Sequence, residues 1–433
     1  MDEKAKKLNK ILSECVAGDL LSDIGRNFYF PSGIVAQAEE AGRFAHKYNV
    51  SVGMAFSGGE IFETKAMREH IPHLSPKETA SYAPTLGDEG LRQFWLEEIL
   101  RKNPGAEAKY ISMPVIVPGL TNAIFQIASL FIDKGDKAIL ASPYWSNYKL
   151  AFSTHRQGVL AAYPFYNSRN GFNVEACLDL ISKSKKNEKI IVLFNFPNNP
   201  AGYSLTKEEA SRLVEGMTEL ADQGRKILAV CDDAYFGLNY EQEVFPESLF
   251  SPLGKAHPNI LAAKADGFTK EHFAWGIRLG FLTFAGKGMG PEQMRALADK
   301  LKGLLRVCVS SSNKTGQSIF KKIIEREDYR DQIDYFRREL KARYLRVKEI
   351  VKRYADNKYL VPRPFNSGYF MSFTTKGSAE QLRQKLLLEK GIGTVSFGDD
   401  CLRIAYSCAD MEDLDGLFSE VYKSAESLFK KTT

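Results

Sequence analysis

"KIIVLFNFPNNPAGYSLTKEEASRLVEGMTELADQGRKILAVCDDAY", residues 189–235, holds one complete strand–helix–strand unit. The runs 189–197 and 226–233 are short, apolar and rich in Ile, Val and Leu, and each ends in turn-forming or acidic residues. Neither alternates strictly between apolar and polar residues, which is the pattern of strands covered on both faces. Between them, 206–224 reads as a helix that opens at Thr206 as N-cap and closes at Gly224. The runs "KAILASP" (137–143) and "NILAAKADGF" (259–268) repeat the strand pattern. Together they predict an α/β fold whose large domain has a mainly parallel sheet with helices on both faces. Near residue 320 the pattern changes. Residues 329–355 read as one long amphipathic helix, with Ile333, Phe336, Leu340, Leu345 and Val347 near one side. Short strands at 369–373 and 402–407 flank a helical stretch, which predicts a smaller α+β domain.

With 433 residues, the chain is long enough for two or three domains. Its 59 basic and 53 acidic residues leave a net charge of only +6, spread along the chain, so nucleic-acid binding is not favoured. Six cysteines, at 15, 177, 231, 308, 401 and 408, form no CxxC pair and are read as free thiols of a reducing compartment. The first residues have scattered charge and no signal-peptide pattern, and no run approaches the roughly 18 apolar residues of a membrane span. A cytoplasmic protein is expected. No GxGxxG follows an early strand, which disfavours a nicotinamide-dependent dehydrogenase. "REHIPH" (68–73) offers two histidines and a glutamate, but Pro72 interrupts helical spacing, so it is read as a loop and no metal site is expected.

Four stretches have the residue types for chemistry. "VIVPGLTNAIF" (115–125) puts Gly119, Leu120 and Thr121 between a strand and a helix, where free N–H groups suit a phosphate. Taken alone, that stretch reads better as an ordinary strand–helix turn. In "NFPNNPAGYS" (195–204), Asn199 can present its side chain at the carboxyl end of a parallel strand, where α/β sheets place ligands. In "AVCDDAYFGL" (229–238), Asp232 and Ala234 fall on one face of a strand, so a flat ring over Ala234 could meet Asp232 at its edge and Tyr235 beyond. A helix-capping aspartate pair is the alternative there. In "ADGFTKEHFAWGIRLGF" (265–281), Lys270 lies among Phe268, Phe273 and Trp275, and Arg278 stands between Gly276 and Gly280. An amine in apolar surroundings loses its proton readily and becomes a nucleophile. Arg278 offers a planar fork for a phosphate, with glycines permitting close approach. A lysine that snorkels to the surface beside a structural arginine is the alternative.

In order and spacing, the four stretches resemble fold-type-I aminotransferases of class I/II, which use pyridoxal 5′-phosphate. "NFPNNPAG" is similar to the family's Asn-Pro-x-Asn-Pro-Thr-Gly, "DDAY" to its Asp-x-x-Tyr, and "TKEHFAWGIRLG" to its Ser-Lys…Gly-x-Arg-x-Gly. The resemblance covers residues 50 to 410, approximately. It implies that Lys270 bonds the cofactor covalently and acts as catalytic acid and base, that Asp232 pairs with the pyridine nitrogen, and that Tyr235 and Asn199 meet the ring hydroxyl. Arg278, Gly119, Leu120, Thr121 and Thr269 are implied around the phosphate. Trp145, in "SPYWSNY" (142–148), is implied to stack on the ring. Tyr82, in "SYAPTLG" (81–87), is implied to reach the phosphate of a neighbouring subunit, hence a homodimer with shared active sites. Arg403 in the C-terminal strand, together with Gly53, is implied to bind the substrate carboxylate. The domains expected are an N-terminal segment (1–65) contributing to the small domain, a large cofactor domain (66–322) and a C-terminal small domain (323–433), so the small domain uses both chain ends.

The chain departs from the family at Gly267, where a serine is common, and at Ala201, where the motif has threonine. The expected reaction is amino-group exchange between an amino acid and a 2-oxo acid. A lyase or decarboxylase of the same fold is the alternative. The effector half of a transcription regulator is disfavoured because the N-terminus is too short for a DNA-binding domain. Arg306 lies where relatives acting on acidic substrates place a second arginine, although its spacing differs and a solvated helix-end arginine is the preferred reading.

Overall fold

The computed structural model describes residues 1–12, 26, 34–70, 73–185 and 188–430; Cys15 and Pro72 lie outside them. Seven strands form the large sheet: β1 (Val115–Val117), β2 (Lys137–Ser142), β3 (Val159–Pro164), β4 (Lys189–Asn195), β5 (Lys226–Asp232), β6 (Ile260–Gly267) and β7 (Gly280–Ala285). Their order is β1-β7-β6-β5-β4-β2-β3. All neighbours are parallel except at β7, which runs antiparallel to both β6 and β1. The absence of alternation in β4 has a direct cause. Ile190, Val192 and Phe194 pack into one core while Ile191 and Leu193 pack into another on the opposite face. In β5, Ile227, Ala229 and Cys231 face the first core, and Leu228 and Val230 the second.

The helices that matter for the site are α1 (Ile34–Phe44), α2 (Glu89–Lys102), α3 (Leu120–Phe131), α4 (Lys207–Asp222), α5 (Phe268–Glu271) and α6 (Tyr329–Arg353). Thr206 caps α4 in a capping box: its hydroxyl accepts from Glu209 N at 3.2 Å, and the Glu209 carboxylate accepts from Thr206 N at 2.8 Å. In α6, Ile333, Leu340 and Val347 are buried, but Leu345 is 49% exposed, contrary to the sequence expectation. Five residues on from Leu340, it sits about 140° around the helix, off the apolar stripe.

A second sheet is made of β8 (Leu360–Pro362), β9 (Phe370–Thr375), β10 (Val395–Phe397) and β11 (Cys401–Ala405), in the order β8-β9-β11-β10. Near the other end of the chain, Tyr48–Asn49 pairs in parallel with Ile392–Gly393, and α1 packs on the same region. The "REHIPH" stretch is not all loop, since Arg68, Glu69 and His70 complete a short helix, Lys65–His70. Among the described residues no group of His, Cys, Asp and Glu could hold a metal, and no helix is long and apolar enough to cross a membrane.

Candidate active site

The parallel strands end on one edge of the large sheet, and their carboxyl ends supply the site. β1 leads through Gly119 into α3, β4 ends at Asn195, β5 at Asp232, and β6 passes from Gly267 into α5 with Thr269 and Lys270. A cavity of about 290 Å³ opens there. Gly53, Leu120, Thr121, Trp145, Asn199, Asp232, Tyr235, Thr269, Lys270, Arg278 and Arg403 all line it. Two expected residues do not. Gly119 lies beneath Arg278, and Tyr82 stands outside the cavity with 89% of its surface exposed.

Asp232 is buried, and its carboxylate accepts from Tyr148 Oη at 2.6 Å and from Ala234 N at 3.2 Å. Burial pushes its pKa up to about 6, tempered by the Tyr148 hydrogen bond. Ala234 lies past the strand end rather than on it, so the shared strand face expected for the two residues is replaced by a turn closed on the Asp232 side chain. Asn195, next to Asp232 in the sheet register, donates to the Asp232 carbonyl at 2.9 Å and accepts from Asn199 N at 2.8 Å. This tie fixes Asn199 against the strand end.

Lys270 is half-buried, 5.4 Å from the centroid of the Tyr235 ring. Burial pulls its pKa down to about 8; the Asp232 carboxylate opposes that shift and Arg278 adds to it. Burial raises the Tyr235 phenol, so that hydroxyl stays a donor. Arg278 adopts the left-handed conformation at φ 56°, with one guanidinium nitrogen 3.0 Å from the Trp275 carbonyl. A Cβ at Gly119 would stand 2.6 Å from Arg278 Nη2 and displace the guanidinium, and the φ of 81° there favours glycine independently. Of the glycines beside Arg278, Gly280 makes a close approach: a Cβ there would meet the Gly119 backbone at 2.8 Å. Gly276 has nothing within 4 Å, so its expected role in close approach is not needed. Gly267 pairs with Gly280 across the sheet, and a Cβ on it would come within 2.7 Å of Gly280 Cα and the Leu279 carbonyl. The serine common in the family has no room at this position.

Arg403, on β11, is 1% exposed. It donates to Asn199 Oδ1 at 2.8 Å and to the Ser51 carbonyl at 2.6 Å, and its Nε has no partner. The guanidinium lies 4.2 Å from the centroid of Phe370, and burial lowers its pKa to about 10. The Thr269 hydroxyl is also buried without a partner. Arg306, in the last turn of the helix Pro291–Cys308, is exposed, bonds Ser310 Oγ at 2.6 Å and does not line the cavity.

Pyridoxal phosphate fits this donor set. An anion suits the α3 N-terminus, Arg278 and the orphaned Thr269 hydroxyl. A protonated ring nitrogen suits buried Asp232. An aldehyde suits Lys270. Sequence reasoning missed Tyr148, Asn195 and Phe370. Tyr148 lies in the same aromatic stretch as Trp145, and Asn195 in the same asparagine-rich turn as Asn199, so both were within reach.

The family described as aminotransferase class I and II matches residues 46–421. A probable aspartate/prephenate aminotransferase of Aquifex aeolicus is 27% identical over 204 residues, a match that spans 46% of this chain and 48% of that protein. The crystal structure of an aminotransferase from Anaerococcus prevotii superposes with a TM-score of 0.82 at 23% identity, covering 94% of this chain and 98% of that one. The structure of α-aminoadipate aminotransferase from Thermus thermophilus, complexed with N-(5′-phosphopyridoxyl)-L-leucine, gives 0.75 at 20% identity, covering 95% and 98%. These last two similarities concern the fold.

Proposed function

The chain belongs to the pyridoxal-phosphate-dependent aminotransferases of class I and II, and from that premise we propose how its cavity divides the work. When bound, pyridoxal phosphate supplies the electron sink for a carbanion at the amino-acid Cα. Lys270, reactive as a neutral amine, would bond the cofactor aldehyde, and its free amine would move the proton at the substrate Cα. Asp232, held by Tyr148, keeps a proton on the ring nitrogen. Asn199 and Tyr235 orient the ring hydroxyl. Arg278, Thr269 and the N–H groups at Leu120 and Thr121 hold the phosphate, and Trp145 covers a ring face and excludes water. Arg403, with Gly53 beside it, holds the substrate carboxylate. The observation that carries this reading is Lys270, half-buried with its pKa lowered to about 8, in one cavity with buried Asp232 and Arg403.

The test is to incubate the protein with amino donors and either 2-oxoglutarate or pyruvate. Amino-group exchange is expected. Release of ammonia or carbon dioxide without exchange would identify a lyase or a decarboxylase instead.

Capture of the cofactor by the cofactor-free protein should depend on pH in two steps. Lys270 attacks only when neutral, so the rate rises as pH passes about 8. Asp232 attracts a protonated ring only when ionised, so it also rises through about 6. Stopped-flow absorbance checks both limbs, and Asp232→Asn should remove the lower one.

We also propose a cytoplasmic homodimer and domains near 1–65, 66–322 and 323–433, with both ends of the chain in the small domain. The pairing of 48–49 with 392–393 supports the last point. Tyr82, exposed and outside its own cavity, is free to reach the partner's phosphate. Tyr82→Phe should weaken cofactor retention by about 1.5–3 kcal/mol, the worth of one hydrogen bond to a charged group. An active monomer in sedimentation at assay concentration would refute the shared site.

A further inference from the structure

Two residues after Lys270 the chain enters a second cavity of about 280 Å³, nearly as large as the catalytic one and sharing no residue with it. It lies between the end of α2, the start of α6 and His272. Its mouth and its depth differ in chemistry. At the mouth stand Arg330 and Arg101, with side chains 55% and 50% exposed, both paired with Glu98. Arg330 reaches Glu98 through one terminal nitrogen, and Arg101 through Nε and one terminal nitrogen, so each guanidinium has N–H groups left over. The N-terminus of the 25-residue helix α6 adds positive potential.

The depth is different. Lys102 and Arg337 are held by the buried Glu271 carboxylate at 2.6 and 2.9 Å. That carboxylate disfavours a second anion nearby. Two buried donor atoms there have no hydrogen-bond partner. Arg337 Nε is buried without a partner. His272 is 5% exposed, its Nδ1 lies 2.6 Å from Tyr329 Oη, and its Nε2 has no hydrogen-bond partner. Burial keeps the ring neutral, so it has one N–H. Glu271 Oε2, 3.9 Å from Nε2, draws that proton to Nε2 and leaves Nδ1 to accept from Tyr329. Phe94 and Ile333 supply apolar wall.

We propose that this cavity binds a short carboxylic acid carrying an uncharged oxygen, a hydroxy or oxo acid. The carboxylate sits on Arg101 and Arg330, and the oxygen accepts from His272 Nε2 and Arg337 Nε. Buried donors without acceptors are uncommon in folded proteins, and an oxygen here satisfies two at once. Because α5 carries Lys270 and Glu271 in succession and ends at His272, the cavity wall follows the catalytic lysine directly in the chain.

Calorimetric titration of the holoenzyme with 4-hydroxybutyrate, which has no amine or oxo group to exchange, tests this. Butyrate is the matched control without the hydroxyl, and inorganic phosphate the control for a plain anion. One binding event should survive Arg403→Ala and be at least tenfold tighter for 4-hydroxybutyrate than for butyrate or phosphate. Arg330→Gln, at an exposed position, should weaken it tenfold or more, and His272→Phe should abolish the preference over butyrate. The proposal is overturned if Arg403→Ala removes all binding, if butyrate or phosphate binds equally well, or if Arg330→Gln changes nothing.

Discussion

Lys270→Ala is expected to lower turnover roughly 10⁴-fold or more, because one substitution removes both the proposed nucleophile and the proposed proton carrier. The surrounding geometry should survive it. Lys270 is half-buried, and the bond it receives from Tyr369 Oη, at 2.9 Å, goes to its backbone carbonyl, which alanine retains. Arg278 and Asp232 should therefore still bind the cofactor non-covalently. Two measurements separate this outcome from simple unfolding. Borohydride reduction followed by mass spectrometry should fix the cofactor to the wild-type chain and not to the variant. Circular dichroism in the aromatic region should be the same for both proteins. Turnover within tenfold of the wild type would remove Lys270 from the mechanism.

How much of this was legible beforehand depended on contrast. Lys270 and Asp232 stood out because charged groups interrupt or end apolar runs, and the cost of burying a charge demands a reason. The central strands were legible because β4 and β5 are apolar on both faces. The strand β3 did not stand out, since it lies at a sheet edge with half of its residues exposed and only Tyr163 buried. The direction of β7 was not legible either: "GFLTFA" is apolar whichever way it runs. Its reversal comes from the short connection 268–279, which leads from the end of β6 straight back along it. Lys264, buried inside β6, is reconciled with its strand only by Asp233 and Asp266, to which it is paired, with Trp95 bonding Asp266 at 2.8 Å. The bond from Arg403 to Ser51 joins residues 352 apart, and no local pattern announces such a pair.

That long-range bond bears on the second large effect. Arg403 is oriented by Asn199 and Ser51 before any substrate arrives, and Phe370 supports one face of its guanidinium. Its preorganised fork suits a carboxylate bidentately. Arg403→Ala is expected to lower kcat/KM by about 3–4 kcal/mol, two to three orders of magnitude, for every amino donor alike, since all present the same carboxylate. Arg403→Lys should recover little, because a point-charge ammonium lacks the planar fork that meets Asn199, the Ser51 carbonyl and a substrate carboxylate in one plane. Side-chain choice must then come from elsewhere. Among the described residues the cations lining the cavity are Lys270, Arg278 and Arg403, and each already has a proposed task. Arg306, bonded to Ser310 outside the cavity, contributes from its own chain only to the surface. Arg306→Ala should therefore change kcat/KM for acidic and apolar donors equally and by less than threefold. A selective loss on dicarboxylic donors would instead make Arg306 a reader of the side-chain carboxylate, acting on the cavity of a second subunit, and would tie donor choice to the dimer.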